Sequence, residues 1–181
     1  MWNLEQIGGL TVRMAQIGVQ LNWSQRKSSG QIAVVPLHGV KDGAMEILKP
    51  SLKKEPVELT IDIQPDNLEV RANHVLLQQV LVNLVSNAMQ AIEGQKSKKI
   101  LLEGHALEEK VVIAVHDNGP GVSAEHLHDI FEPFFTSKKP GHGLGLGLTI
   151  SDRIVRNFGG KIICVQFKEG ARFEFNLDKI V

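Results

Sequence analysis

Asn83 and Asn87 stand four residues apart in HVLLQQVLVNLVSNAMQAI, residues 74–92. On a helix their side chains leave the same face. Two amides aimed at one spot beside an apolar stripe serve packing poorly, because buried amides need partners. Two further clusters follow. Asp117-Asn118-Gly119-Pro120-Gly121 offers a carboxylate within a polar break, and the run from Lys138 to Gly147 offers a cation among glycines 141, 143, 145 and 147. Each has a plain alternative: the polar edge of a core helix, a turn, a flexible loop. Gly143-Leu144-Gly145-Leu146-Gly147 has the wrong spacing for the dinucleotide fingerprint, and no strand immediately precedes it. A P-loop is excluded by the absence of GxxxxGK[ST], and the HRD and DFG elements of protein kinases are absent too.

The elements that must position these clusters are legible from periodicity. Leu77, Val80, Leu81, Leu84, Val85, Ala88 and Ile92 form a wide core-facing stripe, so one helix carries both asparagines. Ahead of it, residues 4–29 predict a helix with Leu4, Ile7, Leu10, Met14, Ile17 and Leu21 as a seam for a partner helix. Gly8, Gly9 and Gly18 weaken it. A second helix is expected from His38 to Leu52. Val57, Leu59, Ile61 and Ile63 alternate with polar residues as in a half-buried strand. Leu68–Arg71 is a short strand, and Lys99–His105 and Lys110–His116 are two more around Glu108-Glu109. Ser123 is placed to cap a short helix through Asp129. The glycine-rich run leads into a helix ending at Phe158, stopped by Gly159-Gly160. Lys161–Phe167 and Arg172–Leu177 close the chain as a hairpin around Lys168-Glu169-Gly170. The sum is about five strands and three helices, one layer of each, behind a helical stem.

The 181 residues suffice for one domain with a substantial core and an appendage. Twenty basic residues balance twenty acidic ones, which argues against a general nucleic-acid binder. Cys164 is the only cysteine, so neither a disulfide framework nor a cysteine-based zinc site is available. Its apolar strand context suits a packed thiol. No apolar run has the length of a membrane span, and the start is no signal peptide, so the chain is expected to be soluble and cytoplasmic.

Taken together, the clusters resemble the catalytic domain of bacterial sensor histidine kinases, members of the GHKL group that also includes gyrase B, Hsp90 and MutL. Asn83-Leu84-Val85-Ser86-Asn87-Ala88 is similar to the N box, and Asp117-Asn118-Gly119-Pro120-Gly121 to the G1 box. Phe131-Glu132-Pro133-Phe134-Phe135-Thr136-Ser137-Lys138 is similar to the F box, and Gly143–Leu148 to the G2 box. Order and spacing agree over residues 57–178. RANHVLLQQVLVNL and the direct passage from F box to GLGLGL resemble the dicarboxylate- and nitrogen-type sensors.

The resemblance implies a two-layer α/β sandwich of the Bergerat type with an N-terminal helical stem, binding ATP and Mg²⁺. Asn87 would be the metal ligand, since Mg²⁺ takes oxygen ligands and keeps several waters. Asn83 would orient water or the attacking group. Hydrolytic relatives carry a glutamate there, and an amide cannot accept a proton in the same way. Asp117 would accept the adenine amino group, which guanine lacks at that place. Gly119 and Gly121 would let backbone approach the base, and Lys138 would face the phosphates. Gly141, Gly143, Gly145 and Gly147, with Leu148 following, would free N–H groups for phosphate oxygens at a helix start. Gln90 is a further candidate for phosphate contact. Residues 131–147 read as a lid anchored by three phenylalanines.

The family needs an acceptor histidine on a stem helix, with an acidic residue next and a proline five positions on. His128-Asp129-Ile130-Phe131-Glu132-Pro133 fits those letters but falls within the lid, and is read as a decoy. His126 and His128 are expected on a solvated face. Residues 1–35 resemble the second helix of the phosphoacceptor hairpin and residues 36–181 the ATP-binding domain. The chain is therefore expected to bind ATP–Mg²⁺ without phosphorylating itself, and to pair weakly with a second copy through the stem. Its parent would be anchored in the bacterial inner membrane and relay to a response regulator receiver domain. The rivals are a hydrolytic GHKL-type ATPase and a nucleotide-binding or dimerisation module without catalysis.

Overall fold

The computed structural model describes residues 31–136, 144–167 and 169–180. The predicted stem helix, residues 4–29, lies outside them, as do Ser137, Lys138, Gly141 and Gly143. The unit that holds all of the described residues but Gln31 runs Ile32–Val181. Its elements are β1 (Ala33–Pro36), α1 (Leu37–Lys54), β2 (Glu58–Gln64), β3 (Glu69–Ala72), α2 (His74–Ala91), β4 (Lys99–Leu107), β5 (Lys110–Asp117), a 3₁₀ turn (Ala124–His126), α3 (Gly147–Asn157), β6 (Ile162–Gln166) and β7 (Ala171–Asp178).

Five strands make one mixed sheet in the order β2-β4-β5-β7-β6, with β2 parallel to β4 and the other neighbours antiparallel. β1 and β3 form a separate antiparallel ribbon. The expected two-layer α/β sandwich is what is found, with the strand count raised by β1, which the sequence reading missed. The sheet's inner face (Ile100, Leu102, Val111, Ile113, Val115, Phe173, Phe175, Leu177) packs with the buried sides of the helices in one core. On the opposite face Arg172 bridges β4 and β7, ion-paired with Glu103 and with Glu174 at 2.8 Å.

α2 is the pillar of the helical layer. Its predicted stripe is buried at every position from Leu77 to Ile92. Asn73 starts it, its Oδ1 accepting from Leu76 N–H at 3.0 Å. No glycine or proline interrupts it. α1 lies close to it because Gly39 and Gly43 present no side chains there. A Cβ on Gly43 would sit 2.7 Å from Gln78 Oε1. These glycines, which obscured the limits of α1 in sequence, let the helices approach.

Three local expectations fail. The side chain of Ser123 makes no capping bond, and the segment behind it is a 3₁₀ turn rather than a helix through Asp129. In β2, Leu59 and Ile63 pack on the core as expected of a half-buried strand, as does Val57 just ahead of it, and only Ile61 departs, 39 % exposed on this edge strand. Phe131 and Phe135 pack on the core, but Phe134 is 72 % exposed at φ 67°. That backbone state, rare for a bulky residue, turns its ring away from the core, so two phenylalanines anchor the segment rather than three.

Candidate functional site

At one end of the site stands Asp117, the last residue of β5 and only 3 % exposed. Its Oδ1 accepts from Gly119 N–H at 2.8 Å, and Ala171 N–H also donates to the carboxylate. Burial raises the Asp117 pKa above its ordinary 3.8, and the two N–H donors and His116 offset part of that rise. An acid sunk this far, with no lysine or arginine among the described residues paired to it, serves the stability of the fold poorly. It is suited to a ligand that brings a donor.

The backbone around it has no slack. A Cβ on Gly119 would meet Ala91 O at 2.9 Å and Asp117 Oδ1 at 2.8 Å. Gly121, at φ 75°, would meet Gly170 O at 2.9 Å. A Cβ on Gly170, at φ 86°, would fall inside Asp117 O. The chain at 117–121 thus crosses the β6–β7 turn through glycines on both sides. Sequence reasoning found Gly119 and Gly121 but took Gly170 for a plain hairpin turn.

Beside Asp117, Cys164 on β6 is half-buried, and burial first, then the neighbouring carboxylate, pushes its thiol up to about 11. It stays protonated at neutral pH, a packed thiol as expected.

The other end is built on α2 and α3. Asn83 and Asn87 are both half-buried and flank the start of α3. A Cβ on Gly147 would lie 3.9 Å from Asn87 Nδ2 and 4.0 Å from the Asn83 amide carbon. Asn83 Nδ2 donates to Gly147 O at 3.4 Å and to Ser151 Oγ at 3.2 Å. Ser151 is fully buried and absent from the sequence-predicted set. Its role depends on packing between α2 and α3, which no local pattern reveals. Leu148 is partly buried against the core, and Gln90 is exposed on α2.

The segment leading to α3 is tied at its base. Phe134 N–H donates to Gly145 O at 3.1 Å, and Thr149 Oγ1 donates to Phe131 O at 2.9 Å. Gly145, at φ 65°, has no room for a Cβ beside Phe135 O. His126 is not on a solvated face as expected: it lies edge-on to Phe135, ring centroids 5.2 Å apart, while His128 is exposed.

Residues 72–180 match the family model described as histidine kinase-, DNA gyrase B-, and HSP90-like ATPase. The chain belongs to this family. Within it, the C4-dicarboxylate transport sensor protein DctB of Rhizobium meliloti is 34 % identical over 177 residues, 98 % of this chain and 28 % of that protein. The sensory histidine kinase/phosphatase NtrB of Rhizobium leguminosarum bv. phaseoli is 35 % identical over 144 residues, covering 72 % of this chain and 37 % of NtrB. The chain thus spans about a third or less of these relatives' length. Among solved structures, the nucleotide-free catalytic domain of histidine kinase ThkA superposes with a TM-score of 0.73 at 30 % identity, over 82 % of this chain and 95 % of that one. ThkA solved in complex with the response regulator protein TrrA gives 0.77 over 96 % of this chain and 49 % of that one, at 24 % identity, a likeness of fold. The resemblance to sensor histidine kinases is therefore established at the level of family: the chain is a domain of the histidine kinase-, DNA gyrase B-, and HSP90-like ATPase family, and the relatives above are sensor kinases. No described helix is long and apolar enough to cross a membrane.

Proposed function

We propose that the site binds ATP with its base at Asp117 and its phosphates toward Asn83, Asn87 and the start of α3, and serves transfer of the γ-phosphoryl group to a histidine. The observation that carries this is the buried carboxylate of Asp117, which no lysine or arginine among the described residues pairs. An adenine amino group would donate to it, whereas guanine would place a carbonyl there and leave the acid unsatisfied. Gly119 and Gly121 bring the 117–121 backbone alongside that position. Gly145 and Gly147, with Gly141, Gly143 and Lys138 by family resemblance, would meet the phosphates; Gln90 and Leu148 border the same region.

Mg²⁺ suits the donor set. Among the described residues no group of three His, Cys, Asp or Glu side chains could hold a metal by itself. A hard ion would rely on the Asn87 amide oxygen, nucleotide oxygens and water. Bound there, it would neutralise phosphate charge. Asn83 holds an amide where hydrolytic members hold an acid, which favours transfer over rapid hydrolysis. The protein's part is positioning and charge compensation.

The residues ahead of β1 would supply the second helix of a phosphoacceptor stem and a weak contact with a second copy. The parent would be anchored in the inner membrane, as the likeness to transport sensors suggests, and would pass its phosphoryl group to a receiver domain. Calorimetric titration with ATP and GTP tests the core of the reading. ATP should bind at least about a hundredfold more tightly than GTP, and Asp117→Asn should abolish the difference. Equal affinities for the two nucleotides would falsify it.

A further inference from the structure

The amide of Asn83 spends both of its N–H groups on α3. Gly147 O is a carbonyl and can only accept, so it requires the nitrogen, not the oxygen, of the Asn83 amide on its side. Ser151 Oγ, on the next turn of α3, takes the second N–H at 3.2 Å. Oδ1 therefore points away from α3, with no protein partner among the described residues. Ser151 is fully buried at a position where a plain aliphatic side chain would satisfy packing. Its hydroxyl is the only side-chain group among the described residues that bonds Asn83.

We propose that Ser151 is a positioning residue for phosphoryl transfer, locking the Asn83 amide so that its oxygen, and not its nitrogen, faces the reacting end of the nucleotide. This rests on the ATP reading above. With Oδ1 outward, Asn83 can accept a hydrogen bond from a phosphate-side water or from the ring N–H opposite the attacking nitrogen of a histidine, and donates none to phosphate. The lock also joins Asn83 to α3, so a shift of that helix turns the amide. Without the hydroxyl, only the longer bond to Gly147 O remains, and the amide is free to rotate.

The test uses the full chain as wild type, Ser151→Ala and Ser151→Thr, the threonine keeping the hydroxyl. Exchange of the Asn83 side-chain amide protons with water is followed by ¹⁵N-edited NMR, alongside ATP affinity and turnover measured as phosphoryl transfer from saturating labelled ATP–Mg²⁺ to a separately supplied helical hairpin bearing an acceptor histidine. Ser151→Ala should speed that exchange about tenfold and slow turnover about tenfold, with ATP affinity held within about twofold. Ser151→Thr should restore both. If Ser151→Ala unfolds, the threonine variant and the protection of the wild-type amide carry the test. Asn83 amide protons that exchange in the wild type as fast as those of exposed Gln95 overturn the proposal, and so does unchanged turnover in a folded Ser151→Ala. Failure of the unaltered chain to bind ATP counts against the ATP reading instead, because the exchange measurement reads the lock without nucleotide.

Discussion

The two ends of the site are held by different means. Around Asp117 the fit is backbone against backbone: Gly119, Gly121 and Gly170 leave no space for a Cβ, and the acid takes N–H groups from Gly119 and Ala171. Around Asn83 the fit is side chain against helix end, through bonds of 3.2 Å to buried Ser151 and 3.4 Å to Gly147, with Asn87 alongside. Backbone crossings through glycine have no alternative arrangement nearby. A side-chain amide held on a helix end can move with that helix. The acid end is therefore built to stay and the amide end to move with α3, as the proposed ATP site would need.

The difference can be broken or sharpened by substitution. Gly170→Ala should have the largest effect, since its Cβ would overlap Asp117 O at a positive φ. A loss of about 3 kcal/mol or more is expected, read by thermal or urea denaturation; a change below about 1 kcal/mol would show that the crossing has slack. Gly145→Ala should act more locally. Unable to sit against Phe135 O, it should release the Phe134–Gly145 tie and weaken ATP binding about tenfold or more, with a melting temperature near that of the wild type.

Asp117→Asn should separate stability from function. The folded carboxyl holds its proton to higher pH than the unfolded 3.8, so between those values the folded state binds more protons. Stability from this residue is thus present below pH 3.8 and lost as pH rises through the folded pKa. At pH 7 the neutral asparagine should stabilise the nucleotide-free protein by about 1 kcal/mol, a gain that should vanish near pH 3.8 in paired melts. A lower melting temperature for the variant at pH 7 would mean the carboxylate is better solvated than its burial indicates. Phe134→Ala should matter least for stability, within about 0.5 kcal/mol, because the ring already faces solvent; a larger loss in urea melts would place that ring in contacts the fold does not show.

How much was legible from sequence follows the same division. The α2 stripe, the β4–β5 pair and the glycines of 117–121 announce themselves by periodicity and composition, because each is a local property of the chain. Ser151 and Gly170 do not. One is a serine in an amphipathic helix and the other a glycine in a hairpin, and each gains its role from a segment more than fifty residues away. β1 escaped because four residues ending in proline carry too little alternation to declare a strand, and its partner β3 lies across α1 and β2. Phe134 misled because an aromatic residue advertises burial, whereas a positive φ set by the tie to Gly145 turned it outward.

α2 touches both ends. Asn83 lies under α3, and Ala91, eight residues on, abuts Gly119. A hydrogen-bonded helix cannot stretch, so the interval is a ruler of about 12 Å. Whatever spans from the carboxylate to the amides is measured against it.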